Sequence, residues 1–288
     1  MVAIVFGLLT AAFFAGSTIC NSRAARLVGS WPVVAWAMVV GMLLIIPFLL
    51  PLFSPGGMPS LDAPTIGWLA LAGLGNIAGL GLAAYAFRVG KVGVVAPIIA
   101  TEGAIAALLA AAFGERIAPL VILTLAVIVV GVILSGIAPD PAPLAHARPA
   151  LAVVLALACA VCFGSSLFAT GHVSQEMLPL GLLLLPPRLA GIVLLAAPLA
   201  ITRRMTITRA SAPYMIGMGI TEVVGYICYT IAAKDDVAIA SVLVSQFAPI
   251  ATVIAFLAFK ERLGRLQIVG LVVIITGVVS LSLVQALG

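Results

Sequence analysis

The sequence predicts an all-α integral membrane protein, with ten transmembrane helices arranged as two inverted five-helix repeats. Three observations carry that prediction. The chain of 288 residues is 64% hydrophobic and only 8% charged. Its apolar residues gather into ten runs of roughly bilayer-spanning length. The Glu-Arg pair of "LAAAFGERIAPL", Glu115-Arg116, recurs in "AFLAFKERLGRL" as Glu261-Arg262, 146 residues further on.

Soluble domains carry about 25% charged residues, and a single core of this size cannot hide so much apolar surface. Hydrocarbon must solvate most of it. The net charge of +5 comes from basic residues scattered in pairs between apolar runs, which reads as topology determinants facing headgroups and excludes a nucleic-acid role. Cys20, Cys159, Cys162 and Cys228 fall in or at the ends of apolar segments. Cys159 and Cys162 have the spacing of a metal half-site but no second Cys/His pair, so they read as small buried residues, and no metal or cofactor is expected. His146 and His172 are expected in polar connections. No positive charge precedes the first apolar run, whereas Arg23 and Arg26 follow it. That is the reverse of a secretory signal and implies an uncleaved first helix.

A bilayer-spanning helix needs about 20 apolar residues. Segments 2–20, 33–53, 65–87, 92–113, 118–137, 150–170, 178–200, 212–232, 238–259 and 265–286 qualify. Breakers such as "SPGGMPS" (54–60) separate them. The Pro-rich "APDPAPLAHARP" (138–149) divides the chain near its middle, giving repeats at 1–138 and 150–288 joined by a linker at 139–149.

The halves resemble one another. "YAFRVGKVGVVAP" (85–97) corresponds to "YTIAAKDDVAIAS" (229–241), and each leads to a Glu-Arg connection. In the first helix, Thr10, Phe14, Ser17 and Asn21 share one face; a shift of 149 gives Cys159, Phe163, Ser166 and Thr170. Such a weakly polar stripe suits either a shared cavity or close helix packing. Five helices per half is odd, so the halves must insert in opposite orientations. Charge agrees: connections after helices 1, 3, 5, 7 and 9 hold Arg23, Arg26, Arg88, Lys91, Arg148, Arg203, Arg204, Arg209, Lys260, Arg262 and Arg265, and the others only Arg116 and Lys234. The positive-inside rule makes the odd connections cytoplasmic and places both termini on the opposite side. The Glu-Arg pairs then close equivalent hairpins on opposite membrane faces, where they cap helix ends.

Ionisable groups deep in membrane segments are functional candidates. Glu102, Arg188 and Glu222 are placed so, with Asn76 and Gln246 as neutral counterparts. Glu222, Tyr226 and Tyr229 share a face that suits a cation or amino group held by charge and ring faces. Alternatively, Glu222 pairs with Arg188 and ties two helices together. Glu102 is either a proton site or a bond to a neighbouring helix. Pro97 and Pro249 interrupt helices 4 and 9, freeing carbonyls that a cavity or neighbouring protein must satisfy. Ser241, Ser245 and Pro249 form a stripe beside Gln246, and Asn76, Ala83 and Phe87 share a face beside Gly79. The expected cavity residues are Ser17, Asn76, Phe163, Ser166, Glu222, Tyr226, Ser245 and Gln246, with Glu102 and Arg188 as coupling or structural charges.

The repeated "FGERI" and "FKERL" connections, the entries at Tyr85 and Tyr229, and the "AGS" (15–17) and "FGSS" (163–166) starts resemble the ten-helix EamA type of the drug/metabolite transporter superfamily. Within it the chain is most similar to bacterial aromatic amino acid exporters. The resemblance implies a bacterial inner-membrane exporter of small metabolites, working as a monomer by alternating access through a cavity between inverted halves. Small multidrug members of the superfamily carry a membrane glutamate in the first helix; here helices 1 and 6 contain no acid, which favours neutral or zwitterionic substrates. The alternatives are a proton-coupled multidrug or cation exporter and, from other classes, a channel or an intramembrane enzyme. No Ser/His pair or acidic metal cluster in the helices supports the enzyme.

Overall fold

The protein is seen in a computed structural model that describes the backbone of residues 2–54, 57–112, 148–175, 178–235, 243–259 and 264–287, with isolated positions at 123, 127, 130, 131, 134 and 240. Among the described residues every regular element is helical. The first half contributes α1 (Val2–Val28), α2 (Ser30–Leu49, continued by a 3₁₀ turn to Phe53), α3 (Ala63–Val89), α4 (Val92–Ile99) and α5 (Glu102–Ala112). The second contributes α6 (Pro149–Gln175), α7 (Leu180–Gly191), α8 (Ala197–Ile201), α9 (Ala212–Asp235), α10 (Phe247–Phe259) and α11 (Arg265–Leu287). A π turn, Ile192–Ala196, joins α7 to α8 into one rod. Most of predicted helix 5 (118–137), both Glu-Arg pairs, His146 and nearly all of the linker lie outside the described residues.

These segments fold as helices because hydrocarbon offers backbone amides and carbonyls no partner, so each must be satisfied within its own segment. At 27 residues, α1, α3 and α6 each reach about 40 Å, more than a hydrocarbon core of roughly 30 Å requires. Among the described residues six helical rods are long and apolar enough to cross a membrane: α1, α2, α3, α6, the α7–α8 rod and α9. Their outer faces remain greasy, with Leu43 62%, Val154 61% and Leu257 69% exposed. That skin is intelligible only against lipid.

Helix ends follow local chemistry. Gly29 turns α1 into α2 at φ 93°, a left-handed conformation that costs glycine nothing. Asp62 caps α3, its carboxylate accepting the Thr65 amide at 2.9 Å. The Thr65 hydroxyl and amide together hold the Asp62 carboxyl below the usual carboxylate range. A depressed folded pKa contributes stability above the unfolded value of about 3.9, lost as pH falls through the folded one. Asp62→Ala is therefore expected to lower the melting temperature of detergent-solubilised protein at neutral pH, with the difference shrinking below about pH 4. Thermal melts at both pH values check this.

Helix directions are legible from cross-contacts. Along α1 and α9, Cys20 faces Gly217, Gly16 faces Thr221, and Phe14 faces Gly225, so the two run antiparallel. Along α3 and α6, the Trp68 ring meets His172 at 4.9 Å, Ser166 Oγ donates to the Ala72 carbonyl at 2.7 Å, and the Cys159 thiol donates to the Gly79 carbonyl at 3.2 Å. They too are antiparallel. Arg26, near the end of α1, donates to the Phe87 and Gly90 carbonyls at the end of α3, both at 3.2 Å, so α1 and α3 end at the same face of the bundle. It follows that α6 and α9 run opposite to α1 and α3. Likewise α7 runs against α2, Gly181 lying by Phe48 and Gly191 by Met38.

The structure corrects several local expectations. The first helix continues to Val28, so Arg23 and Arg26 belong to it and not to a connection. His172 sits in the last turn of α6, stacked beside Trp68, because the apolar run there is extended by a helix-compatible "TGHVSQ". Segment 92–113 is two helices, broken at Ala100-Thr101. A similar interruption, Ser245-Gln246, precedes α10. Both are closed by tightened i to i−3 bonds: the Thr101 amide to the Ile98 carbonyl at 3.2 Å, and the Gln246 amide to the Leu243 carbonyl at 3.1 Å. The breaks lie 145 residues apart, close to the spacing of the Glu-Arg pairs.

Candidate functional site

Between the halves lies a cavity of about 620 Å³, counting the open space at its mouth. From the first half, α1 supplies Phe14, Ser17, Thr18 and Asn21, and α3 supplies Asn76, Leu80, Ala83 and Phe87. Ile99 and Glu102 reach it from the two sides of the α4–α5 break. From the second half come Phe163, Ser166 and Leu167 of α6, Glu222 and Tyr226 of α9, and Phe247, the first residue of α10 beyond its own break. Both helix interruptions therefore abut the cavity, where non-helical backbone is tolerated within a membrane.

The lining is pseudo-symmetric in detail. The Phe163 ring occupies the space a side chain at Gly79 would need, and the Phe14 ring does the same at Gly225. These pairs interchange under shifts of 149 and 146. Asn76 and Glu222 are likewise related by 146, and both face the cavity. Glycine is required at these two positions because the rings reach the helix backbone itself.

One wall is a polar network. Arg188 of α7, fully buried, donates through Nη2 to Glu222 Oε2. Its guanidinium lies 5.2 Å from the Tyr226 ring centroid, a cation–π distance. The Asn76 side chain faces the Glu222 carboxylate as well. Thr170 and Tyr226 share a hydroxyl hydrogen bond at 2.5 Å, and Ser166 adjoins the same phenol. Tyr229, a turn further on, donates to the Leu167 carbonyl at 3.1 Å. Within this network Asn76 Oδ1, Glu222 Oε1 and Arg188 Nε and Nη1 have no hydrogen-bond partner among the described residues, and neither has Asn21 Oδ1 on the facing helix. A buried polar atom left unmet costs about 1–3 kcal/mol. Those on Asn21, Asn76 and Glu222 belong to residues that line the cavity.

Six of the eight expected cavity residues converge: Ser17, Asn76, Phe163, Ser166, Glu222 and Tyr226 line one space. Ser245 and Gln246 lie in the break before α10, outside the lining; Ser245 is buried and Gln246 half-buried. Arg188 stands behind Glu222, off the cavity. Of the stripe on α1, Thr10 points away and bonds the Phe6 carbonyl at 2.8 Å. Phe14 and Asn21 were visible as part of that stripe, and Phe14 also as the repeat partner of Phe163. Phe247 carried no sequence signal beyond its position after Gln246.

The sequence profile of the EamA-like transporter family matches the chain twice, over residues 1–137 and 150–283. A solved crystal structure, titled only as that of a protein, aligns with a TM-score of 0.69 over 99% of this chain and 98% of its own, at 16% identity, a likeness of fold alone. No curated protein matches the chain.

Proposed function

As the chain belongs to the EamA-like transporter family, a multi-pass membrane protein acting on small molecules, we propose that it exports small metabolites, amino acids with aromatic side chains among them, by alternating access. The observation that carries this is the cavity between the two halves, at the level where α4–α5 and α10 are interrupted. In inverted-repeat carriers, substrate sites form at such discontinuous helices, and the two halves exchange conformations to open the site to one side and then the other. The opposed directions of α1 and α6, α2 and α7, and α3 and α9 support a ten-helix architecture of two inverted repeats, spanning 1–138 and 150–288. Ser17, Asn76, Phe163, Ser166, Glu222 and Tyr226 hold the substrate. Ser245 and Gln246 serve the hinge before α10, and Arg188 positions Glu222. Aromatic rings on five elements favour a planar apolar side chain, and the hydroxyls and amides hold its polar end loosely enough for release.

The bacterial inner membrane is the expected location, with the arginine-rich connections cytoplasmic and both termini outside. Purified protein in liposomes is expected to catalyse saturable counterflow of labelled L-phenylalanine, independent of an imposed pH gradient. Absence of counterflow removes the amino acid assignment, and strict dependence on the gradient replaces the facilitative mechanism with a proton-coupled one. In right-side-out vesicles of the same protein, terminal tags should be accessible to external protease; protection of either tag overturns the orientation.

A further inference from the structure

We propose that Glu102 is the counter-charge that holds the ammonium group of the transported molecule within a cup of aromatic rings. This rests on the transporter reading and specifies the charge class of its substrate.

Two carboxylates line the cavity, and their surroundings differ. Glu222 already has a full positive charge in Arg188. Glu102 is 3% exposed and opens onto the cavity from the first residue of α5. Among the described residues it has neither a cation nor a hydrogen-bond donor. Among the described residues no Lys, Arg or His lines the cavity. The titratable groups facing Glu102 are Cys159 from α6, and Glu222 and Tyr226 from α9 across the cavity; α1, α3 and α10 present none. With both acids ionised, the Arg188–Glu222 pair cancels and the cavity keeps a single uncompensated negative charge.

An isolated carboxylate in a membrane interior is costly unless a partner arrives. The cavity it opens onto is also lined by Phe14, Phe87, Phe163, Phe247 and Tyr226. Ring faces attract cations, and the attraction strengthens once water is displaced. A carboxylate among aromatic rings fits an organic ammonium. It repels an anion. A zwitterion satisfies Glu102 with its amino group, but its carboxylate finds the Ser17 and Thr18 hydroxyls and the Asn21 amide and no cation in the lining, since Arg188 stands off the cavity behind Glu222. An aromatic amine should therefore bind at least as well as the corresponding amino acid.

The test uses the full chain in detergent micelles with three probes of one skeleton: phenethylamine, L-phenylalanine and hydrocinnamate. Wild type should bind the first two and not the third. Acidification should weaken binding, because proton and ammonium compete for one carboxylate. Glu102→Gln should weaken phenethylamine binding about tenfold or more and flatten its pH profile, and Glu102→Asp should retain the profile. A structural role alone would move neither charge preference nor pH profile. Should Glu102→Gln not fold, the wild-type charge order and Glu102→Asp decide: hydrocinnamate binding as tightly as phenethylamine overturns the proposal. Phenylalanine counterflow unaffected by Glu102→Gln and uncompeted by phenethylamine overturns it while the transport reading stands. Glu102-dependent amine binding without phenylalanine counterflow upholds the site and removes the amino acid assignment. Neither binding nor counterflow overturns both.

Discussion

Arg188→Met is expected to destabilise the folded protein by about 3–5 kcal/mol, the usual cost of stranding one member of a buried ion pair. Arg188 is fully buried and Glu222 nearly so, and their side chains meet directly. Removing the guanidinium leaves a carboxylate with only the Asn76 amide for company. It also removes the cation from the Tyr226 ring. The double variant Arg188→Met/Glu222→Met should recover most of the lost stability, because a buried pair exchanged for apolar groups of similar volume is often neutral. Transport should not recover with it, since the polar wall of the cavity is gone. Thermal unfolding in detergent and counterflow in liposomes measure the two separately. A single variant as stable as wild type would show that the pair does not join α7 to α9.

The second large effect concerns helix approach. A side chain at Gly75 of α3 would place its Cβ 2.8 Å from the Cys162 carbonyl oxygen and 3.1 Å from Ser166 Cβ on α6. The first obstacle is backbone, which cannot rotate away as a side-chain tip would. Gly75→Leu should therefore separate α3 from α6 and cost at least the 1–3 kcal/mol (roughly) of an overpacked core. Because this contact joins the two halves beside the cavity, transport should fall more steeply than stability. Gly67→Leu is the matched control: it lies on the same helix, and nothing stands within 4 Å of a Cβ there. Equal effects at the two sites would mean that helix propensity, and not the crossing, is responsible.

Much of the site was readable in one dimension. The stripe of Phe14, Ser17 and Asn21 and its repeat at Phe163 and Ser166 located two walls, because a face recurring at helical spacing in both halves is a spatial statement. Buried ionisable residues identified Glu102, Arg188 and Glu222, because hydrocarbon makes each of them conspicuous. The sequence left two questions open, Glu222 as substrate ligand or ion-pair partner and Glu102 as proton site or helix bond. The tertiary contacts separate the two acids: Glu222 has a cation and Glu102 has none among the described residues. Ser245 and Gln246 show the limit of stripe counting. The segment they were placed on is interrupted at these two residues, so a single helical spacing does not run through them.

What the sequence by itself determined is the solvent and the symmetry. Run length and composition select a bilayer, and self-similarity at a spacing near half the chain selects a repeated fold; neither depends on which helix touches which. Only the tertiary structure decided where the helices break and which polar side chains share a space. The reason is that these helices are apolar on nearly every side, so no amphipathic pattern distinguishes the face toward lipid from the face toward a neighbour. That distinction comes from close approach, glycine against ring at Gly79 and Phe163 and again at Gly225 and Phe14, and it exists only once the two halves have met.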